Sequence, residues 1–300
     1  MTAQEQAALQ IKEDRFWIYR KRLGDFWRLY RQSSLGKLGL GVVLFFVVVA
    51  LVAPWIAPYD PFAFVGDPFL KPSMTHFFGT DQVGRDIFSR VIFGTRISLL
   101  VGLVASGITI VIGSVIGLVS GYLGGWPDNV LMRITDLFLI LPSLPLMLIM
   151  AAILGKGITN IIIVIAVLDW TATARMVRSQ TLSLKERPFT EASRAIGSTD
   201  LHTIARHIVP NVFPLVFANG MIAIVDAILS EAGLSFLGFG DPSAPSWGMV
   251  LHFADTAGAT VNGYWWYIVP PGICIMLLVM GFAFISYSTD QILNPKLRRR

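Results

Sequence analysis

Charged residues and cysteine are scarce in this sequence. Asp, Glu, Lys and Arg make up 14% of the 300 residues, against about 25% in a typical soluble domain. Hydrophobic residues make up 54%, which excludes a disordered chain and a nucleic-acid-binding domain. The single cysteine, Cys274, cannot form an internal disulfide and so excludes a disulfide-stapled scaffold. The net charge of +5 is then best explained by basic loops beside a membrane.

Catalytic and metal-binding patterns are missing as well. A phosphate-cradling loop needs Gly, four residues, then Gly-Lys-Ser/Thr, but Gly155-Lys156 is followed by Gly157. The four histidines are scattered, and none has a partner at metal-ligand spacing. We therefore expect no catalytic residue, no metal site and no cofactor bound by this chain, which argues against a membrane enzyme. Any work that it performs must draw energy from a partner, an ion gradient or the gradient of its substrate.

Uncharged stretches near 20 residues can cross a bilayer as helices. Six occur, so the sequence predicts an all-α integral membrane protein with six transmembrane helices. Trp265, Trp266 and Tyr267 mark the interfacial start of the last helix. The predicted spans are 38–56, a stretch between Arg96 and Asp128 that ends at the turn signal 121–127, 137–155, 157–168 (extendable to 174), 208–225, and one within 256–289.

The distribution of Lys and Arg predicts the orientation. With the N-terminus inside, 19 of the 24 Lys and Arg residues fall in cytoplasmic segments, as the positive-inside rule requires. Both termini are therefore expected in the cytoplasm. The predicted parts are a cytoplasmic tail (1–37), a first transmembrane helix (38–58), an extracytoplasmic segment (59–95), a core of five transmembrane helices (96–290) with a cytoplasmic loop at 175–210, and a basic cytoplasmic C-terminus (291–300).

Two helix patterns supplement this topology. Aromatic side chains and Leu23 recur at helical spacing over 16–30 with interleaved Arg, which predicts an interfacial amphipathic helix. Its simplest role is an anchor that orients the first span. Gly113, Gly117 and Gly121 recur every four residues, a spacing that lets two helices approach closely in lipid.

The loop 175–210 contains signals for two short helices joined at a glycine. Thr190 is a candidate N-cap, and Glu191 falls in the first turn, where the helix dipole favours an acid. Gly197 is a natural residue to end that helix, and 198–200 offers a second N-cap. The predicted helices are 191–196 and 201–208, the second running to Pro210.

The same loop resembles the "EAA" loop of ABC importer permeases. Ser193 stands where the general pattern has Ala, and Ile208 lies one residue closer to Pro210 than in the general pattern. Both variants fit the peptide-type subfamily. The positions that the resemblance assigns to contact with an ATPase are Thr190, Glu191, Ala192, Ser193, Arg194, Gly197, Ile208 and Pro210.

Two further motifs are similar to signatures of the "C" permease of dipeptide, oligopeptide and nickel importers. One is 79–86, followed by 89–90 and 94–99, and the other is 227–238. Asp290 with 295–297 resembles the C-terminal end of that permease, so the resemblance covers nearly the whole chain beyond residue 20. The first motif should lie outside, as a packed cap or as a contact for a binding protein. Its candidate residues are Gly79, Thr80, Asp81, Gly84, Arg85 and Asp86.

The resemblance implies the type I ABC importer permease fold and a set of partners. A similar but non-identical second permease would pair with this chain, and two ATPase subunits carrying ATP and Mg would dock beneath. An extracytoplasmic binding protein would deliver substrate, and membrane lipid would surround the spans. The expected cargo is di- or oligopeptide, with nickel, oligosaccharide and glutathione-like cargo as alternatives. A gradient-driven carrier is the alternative from another class.

Three acidic residues lie in or beside predicted spans. Asp169, Asp226 and Glu231 are candidates for the translocation path, since ionisable groups in spans usually face a cavity or a partner. A carboxylate there could meet the free amine of a peptide. The alternative for each is an anchor at a helix interface.

Overall fold

The computed structural model describes Gly24 and residues 27–293, and all regular elements in that part of the chain are helices. The predicted all-α class is confirmed there. Residues 27–30 are helical, but the rest of the predicted amphipathic helix and most of the basic C-terminus lie outside the described residues. The helices are α1 (Ser34–Ile56), α2 (Ile87–Leu123), α3 (Gly125–Ile140), α4 (Ser143–Leu154), α5 (Ile158–Leu168), α6 (Trp170–Lys185), α7 (Pro188–Ala195), α8 (Asp200–Thr203), α9 (Val209–Phe236), α10 (Trp247–Thr256) and α11 (Trp265–Leu293), with a π-helical turn at Ile204–Ile208.

Six membrane crossings fit the described residues, as predicted. Five helical runs are long and apolar enough to cross alone, and the bent pair α3–α4 makes the sixth. α1 begins one turn earlier than predicted because Ser33 caps it, its Oγ accepting from the Gly36 backbone N–H at 3.1 Å. α11 begins at Trp265, where the aromatic cluster predicted a start.

The second crossing is longer than predicted. α2 starts at Ile87 because Asp86 caps it, its Oδ2 accepting from the Ser89 backbone N–H at 2.8 Å. The predicted uncharged stretch began after Arg96, but the helix already includes Arg90, which is buried and paired with Asp81, and Arg96, which is exposed. The segment before α2 therefore ends at residue 86 in the structure instead of residue 95.

The third crossing is broken instead of straight. α3 and α4 meet at Leu141–Pro142 with a bend of 92°. Pro142 explains the break, because a residue that precedes proline is disfavoured in helical geometry and the proline has no N–H to continue the helix. The predicted uniform span 137–155 therefore becomes two half-helices with a cleft beside their junction.

The fourth and fifth crossings both extend past their predicted ends. α5 and α6 meet at Asp169 and form one helical run that ends at Lys185, so the first third of the predicted loop 175–210 is helix. α9 continues to Phe236 and thus contains Asp226 and Glu231. Charge was a poor boundary signal here because Glu231 is buried between helices and Asp226 lines a cleft between them.

The glycine stripe packs α2 against α6 within the same chain. A Cβ on Gly113 would lie 2.6 Å from the Trp170 carbonyl oxygen, and a Cβ on Gly117 would lie 2.5 Å from the Ala174 carbonyl oxygen. Gly121 meets Thr181 in the same way. Only glycine allows the two backbones to approach this closely, so the predicted close helix contact is confirmed.

Candidate functional site: an elbow at one end and an acidic cleft between the spans

The elbow comprises residues 188–208 and begins with helix α7. Pro188 takes the first helical position after Arg187, where its fixed φ and missing N–H cost nothing. The predicted N-cap Thr190 was wrong: its buried Oγ1 instead donates to the Leu184 carbonyl oxygen at 2.8 Å. Thr190 therefore ties the elbow back to the end of α6. Glu191 lies in the first turn of α7 and is exposed, as predicted.

Gly197 ends this helix with the expected geometry. Its φ is +80°, a conformation that L side chains adopt at a cost. The Gly197 N–H donates to the Arg194 carbonyl at 2.9 Å, and the Ser198 N–H donates to the Ser193 carbonyl at 3.2 Å. This pair of bonds is the Schellman motif. The elbow therefore turns at a fixed angle instead of through a loose loop.

The second half of the elbow runs without interruption into α9. Thr199 caps α8, its Oγ1 accepting from the His202 backbone N–H at 3.3 Å, which confirms the second predicted cap. The prediction that the helix ends at Pro210 was wrong, because α9 continues past this residue. The Val209 N–H instead bonds to the Ile204 carbonyl, and this widened turn relieves the clash that a proline ring makes with the preceding turn.

The two halves of the elbow pack on each other and on the bundle. Ser193 and Thr203 are buried and face each other, with 3.3 Å between their hydroxyl oxygens. Ile208 is fully buried in a hydrophobic cluster with Tyr122 and Val177. These contacts explain why a small residue stands at the third position of the motif and why the elbow holds one orientation.

Tyr122, at the end of α2, anchors the elbow to the helix bundle. Its hydroxyl donates to Asp200 Oδ1 at 2.9 Å and accepts from Arg194 Nε at 3.3 Å. The Arg194 guanidinium also lies over the Tyr122 ring, 4.9 Å from its centroid. Sequence analysis missed Tyr122, because an aromatic residue at the end of an apolar run is indistinguishable from an interfacial one.

The tip of the elbow carries exposed apolar side chains. Ile196 is 83% exposed and Leu201 is 77% exposed, on either side of the turn at Gly197. Ala192 is also exposed, beside Glu191. Exposed apolar side chains that cluster on a rigid protrusion indicate a surface that another protein covers.

A cleft of about 560 Å³ lies at the bend of the third crossing, between α3, α4, α6 and α9. Asp169 and Asp226 both line it, together with the hydroxyls of Ser143 and Ser230. Within the described residues, neither aspartate side chain accepts a hydrogen bond or forms an ion pair, and Asp226 is exposed. The structure thus brings together two of the three predicted path acids.

The third acid, Glu231, lies elsewhere. It is fully buried where α2, α9 and α10 meet. Ser235 donates to its Oε1 at 2.7 Å and Ser98 donates to its Oε2 at 3.3 Å. The Trp247 backbone N–H bonds in turn to Ser98 Oγ. These contacts match the alternative weighed for Glu231, an anchor at a helix interface.

At the end of the bundle opposite the elbow, residues 79–86 form a packed cap. Asp81 is fully buried and its carboxylate accepts from Arg85 Nε at 2.7 Å and from Arg90 Nη1 at 2.9 Å. The same carboxylate accepts the Val83 and Arg85 backbone N–H groups. Tyr267 donates to Gln82 at 2.7 Å and so joins the cap to α11.

The remaining cap residues have equally specific places. Gly79 and Gly84 have φ of +69° and +84°, and a Cβ on Gly84 would lie 2.0 Å from the Gly66 carbonyl oxygen. Thr80 is buried and donates to the Asp67 carbonyl at 2.6 Å. Asp86 caps α2 and pairs with His76 at 3.0 Å. The motif is therefore packed against the end of the bundle, and its contact with a binding protein stays a prediction.

A bundle with six crossings, a capped elbow at one end and a cleft between the spans is the architecture of the transmembrane subunit of a transporter. The chain belongs to the family described as the binding-protein-dependent transport system inner membrane component, whose model matches residues 113–299. Residues 21–72 match the N-terminal TM domain of oligopeptide transport permease C. The chain is therefore an ABC importer permease and a multi-pass protein of the bacterial inner membrane.

Individual relatives agree with this assignment. The glutathione transport system permease protein GsiD of Escherichia coli O6:K15:H31 is 38% identical over 91% of this chain and 90% of its own length. The dipeptide transport system permease protein DppC of Bacillus subtilis is 34% identical over 92% of this chain and 86% of its own length. The inward-facing MetNI methionine ABC transporter shares the fold, with a TM-score of 0.51 and 19% identity over 70% of this chain and 97% of its own.

Proposed function

We propose that this chain forms half of the translocation path of an ATP-driven importer for di- and oligopeptides. The names of the relatives support this cargo, because dipeptides and glutathione are both small peptides. A second homologous permease would supply the other half of the path, and an extracytoplasmic binding protein would deliver cargo. Two ATPase subunits would bind and hydrolyse ATP with Mg²⁺, so this chain itself would be no enzyme and hold no cofactor. Glutathione-like, nickel and oligosaccharide cargo remain the alternatives for the same machine.

The geometry of the elbow is the observation that carries the coupling role. It contains a short helix that begins at Pro188 and ends in the Schellman motif at Gly197, it is anchored to α2 through Tyr122, and it is continuous with α9. Its tip presents Ile196 and Leu201 to solvent. We propose that this tip fits a groove on one ATPase, and that movement of the ATPase pulls on α9. The residues that we assign to the contact are those of the EAA loop, with Thr190, Ser193 and Ile208 acting as internal supports.

The path itself would pass Asp169 and Asp226. A carboxylate at membrane depth is costly unless it faces water or a partner, and both aspartates line the cleft. Their negative charge suits the protonated amine that every free peptide carries. The exposed side of the cleft would then be covered by the second permease.

The coupling role is tested with Leu201→Glu in the purified four-subunit complex. We expect normal membrane insertion, because Leu201 is exposed and forms no part of the core, but a loss of co-purified ATPase, because a desolvated unpaired carboxylate is costly. Val261→Glu is the matched control: Val261 is 91% exposed and lies between α10 and α11, in the half of the bundle that carries the cap. If Leu201→Glu retained the ATPase and substrate-stimulated hydrolysis, the elbow would not be the coupling element.

A further inference from the structure

One ion pair within the spans is not accounted for by the elbow, the cleft or the cap. Arg175 Nη2 on α6 donates to Asp136 Oδ1 on α3 at 2.5 Å. Both residues belong to helices that cross the membrane, yet their side chains are 53% and 47% exposed. Charged groups on membrane-spanning helices usually face a partner or a water-filled path, and the exposure of both side chains fits such a surface.

The position of the pair relates it to the cleft. Leu139, three residues after Asp136, lines the cleft, and so do Thr171 and Ala172, one turn before Arg175. Residues three and four apart share a helix face. Since α3 leads away from the elbow end and α6 leads towards it, the pair lies one turn from the cleft on the side of the elbow.

A second ion pair between the same two helices behaves differently. Arg178 binds Asp128 through two bonds of 2.6 Å, Ser120 donates to the same carboxylate, and the two side chains are only 33% and 14% exposed. This pair fixes the beginning of α3. Asp136 lies eight residues further along, about 12 Å by helix rise, close to the break at Leu141–Pro142. Of the two ion pairs between α3 and α6, the one near the far end of α3 is therefore the weaker.

We propose that the Asp136–Arg175 pair is a gate that closes the cleft towards the elbow. A single-bonded, half-exposed pair contributes little to stability, so it can separate and re-form in each cycle, unlike the pair of Asp128 with Arg178. When it separates, the far end of α3 is free to swing about its fixed beginning, and the cleft opens to the elbow side. The gate rests on the proposed function, because it presumes that cargo passes through the cleft.

The gate is tested by the accessibility of a cysteine in the cleft. The chain would carry Cys274→Ala, which removes its only native cysteine, and Ser230→Cys, which lines the cleft. The nucleotide-free four-subunit complex, in vesicles with the elbow facing the medium, is treated with a negatively charged, membrane-impermeant methanethiosulfonate. Arg175→Gln should raise the labelling rate by up to about fivefold, which is the most that the loss of a half-exposed ion pair can supply. The exchange Asp136→Arg with Arg175→Asp should restore the slow rate.

The matched control is Arg133→Gln, which removes the same charge from an exposed position on α3 with no ion pair in the part of the chain that the structure describes. An unchanged rate in Arg175→Gln, an equal rise in Arg133→Gln, or no recovery in the charge exchange would each overturn the gate. If neither Arg175→Gln nor Asp136→Asn assembled, the pair would be a structural clamp and the proposal would be wrong. Uptake of a radiolabelled dipeptide by the parent complex is measured separately: its failure would refute the cargo and leave the labelling result standing.

Discussion

The close contact between α2 and α6 predicts that a single added methyl group at Gly117 will destabilise the protein. Gly117→Ala places a Cβ 2.5 Å from the Ala174 carbonyl oxygen and 2.7 Å from the Val177 Cβ. Both neighbouring atoms belong to α6, the helix that begins after Asp169 and leads to the elbow. Neither neighbour is the end of a flexible side chain, so the helices must separate to accept the methyl group.

The free-energy cost of this steric clash can be measured by comparison with a second glycine on α2. Gly107 is exposed and has no atom within 4 Å of an added Cβ, so Gly107→Ala gains about 0.5–1 kcal/mol from helix propensity alone. Gly117→Ala has the same propensity gain but also the overpacking cost of about 1–3 kcal/mol. The difference between the two variants therefore measures the clash and cancels the propensity.

Thermal unfolding of the purified complex in detergent, followed by loss of the monodisperse species, measures the difference. We expect Gly117→Ala to melt below the parent and Gly107→Ala to melt at or above it. If Gly117→Ala were as stable as Gly107→Ala, the close approach of α2 and α6 would not hold, and the position of the elbow relative to α2 would be in doubt.

Two further predictions concern the cleft and the orientation. Asp226→Asn should leave assembly intact and slow dipeptide uptake, because it removes an exposed carboxylate that has no hydrogen-bond or ion-pair partner in the part of the chain that the structure describes; normal uptake would remove Asp226 from the path. In a background without the native cysteine, a reagent confined to the outside of intact cells should label Lys71→Cys and spare Glu186→Cys, since both positions are exposed but lie at opposite ends of the bundle. The reverse result would invert the topology predicted from the Lys and Arg distribution.

The spans and the turn of the elbow could be predicted because their signals are local. An uncharged run of sufficient length and a glycine that follows a short helix each depend on a few adjacent residues. The start of α2 was missed because Arg90 looks like a loop residue until Asp81, nine positions earlier, is known to hold it. In the same way, the bend at Pro142 depends on whether neighbouring helices support a broken span, which no single stretch of sequence records.

A different reason explains why the contacts that orient the elbow and fix the beginning of α3 could not be predicted. Tyr122 and Asp200 are 78 residues apart, and Asp128 and Arg178 are 50 apart. No spacing rule relates such pairs, because they meet only once α2, α3 and α6 are packed. Sequence analysis assigned Arg175 and Arg178 to a cytoplasmic loop, since charge without a known partner indicates solvent.

The continuity of the elbow with α9 bears on how a distant ATPase could control the cleft. From Asp200 to Phe236 the backbone is helical throughout, with a single π-helical turn before Pro210. Asp226 lies on this run, so a displacement at the elbow reaches one wall of the cleft without crossing a loop. The other wall belongs to α3 and α4, and α3 is fixed to α6 by Asp128 and Arg178 near the same end. Movement of the elbow would therefore displace α9 relative to the fixed beginning of α3, and relative motion of two walls is what changes the width of a cleft.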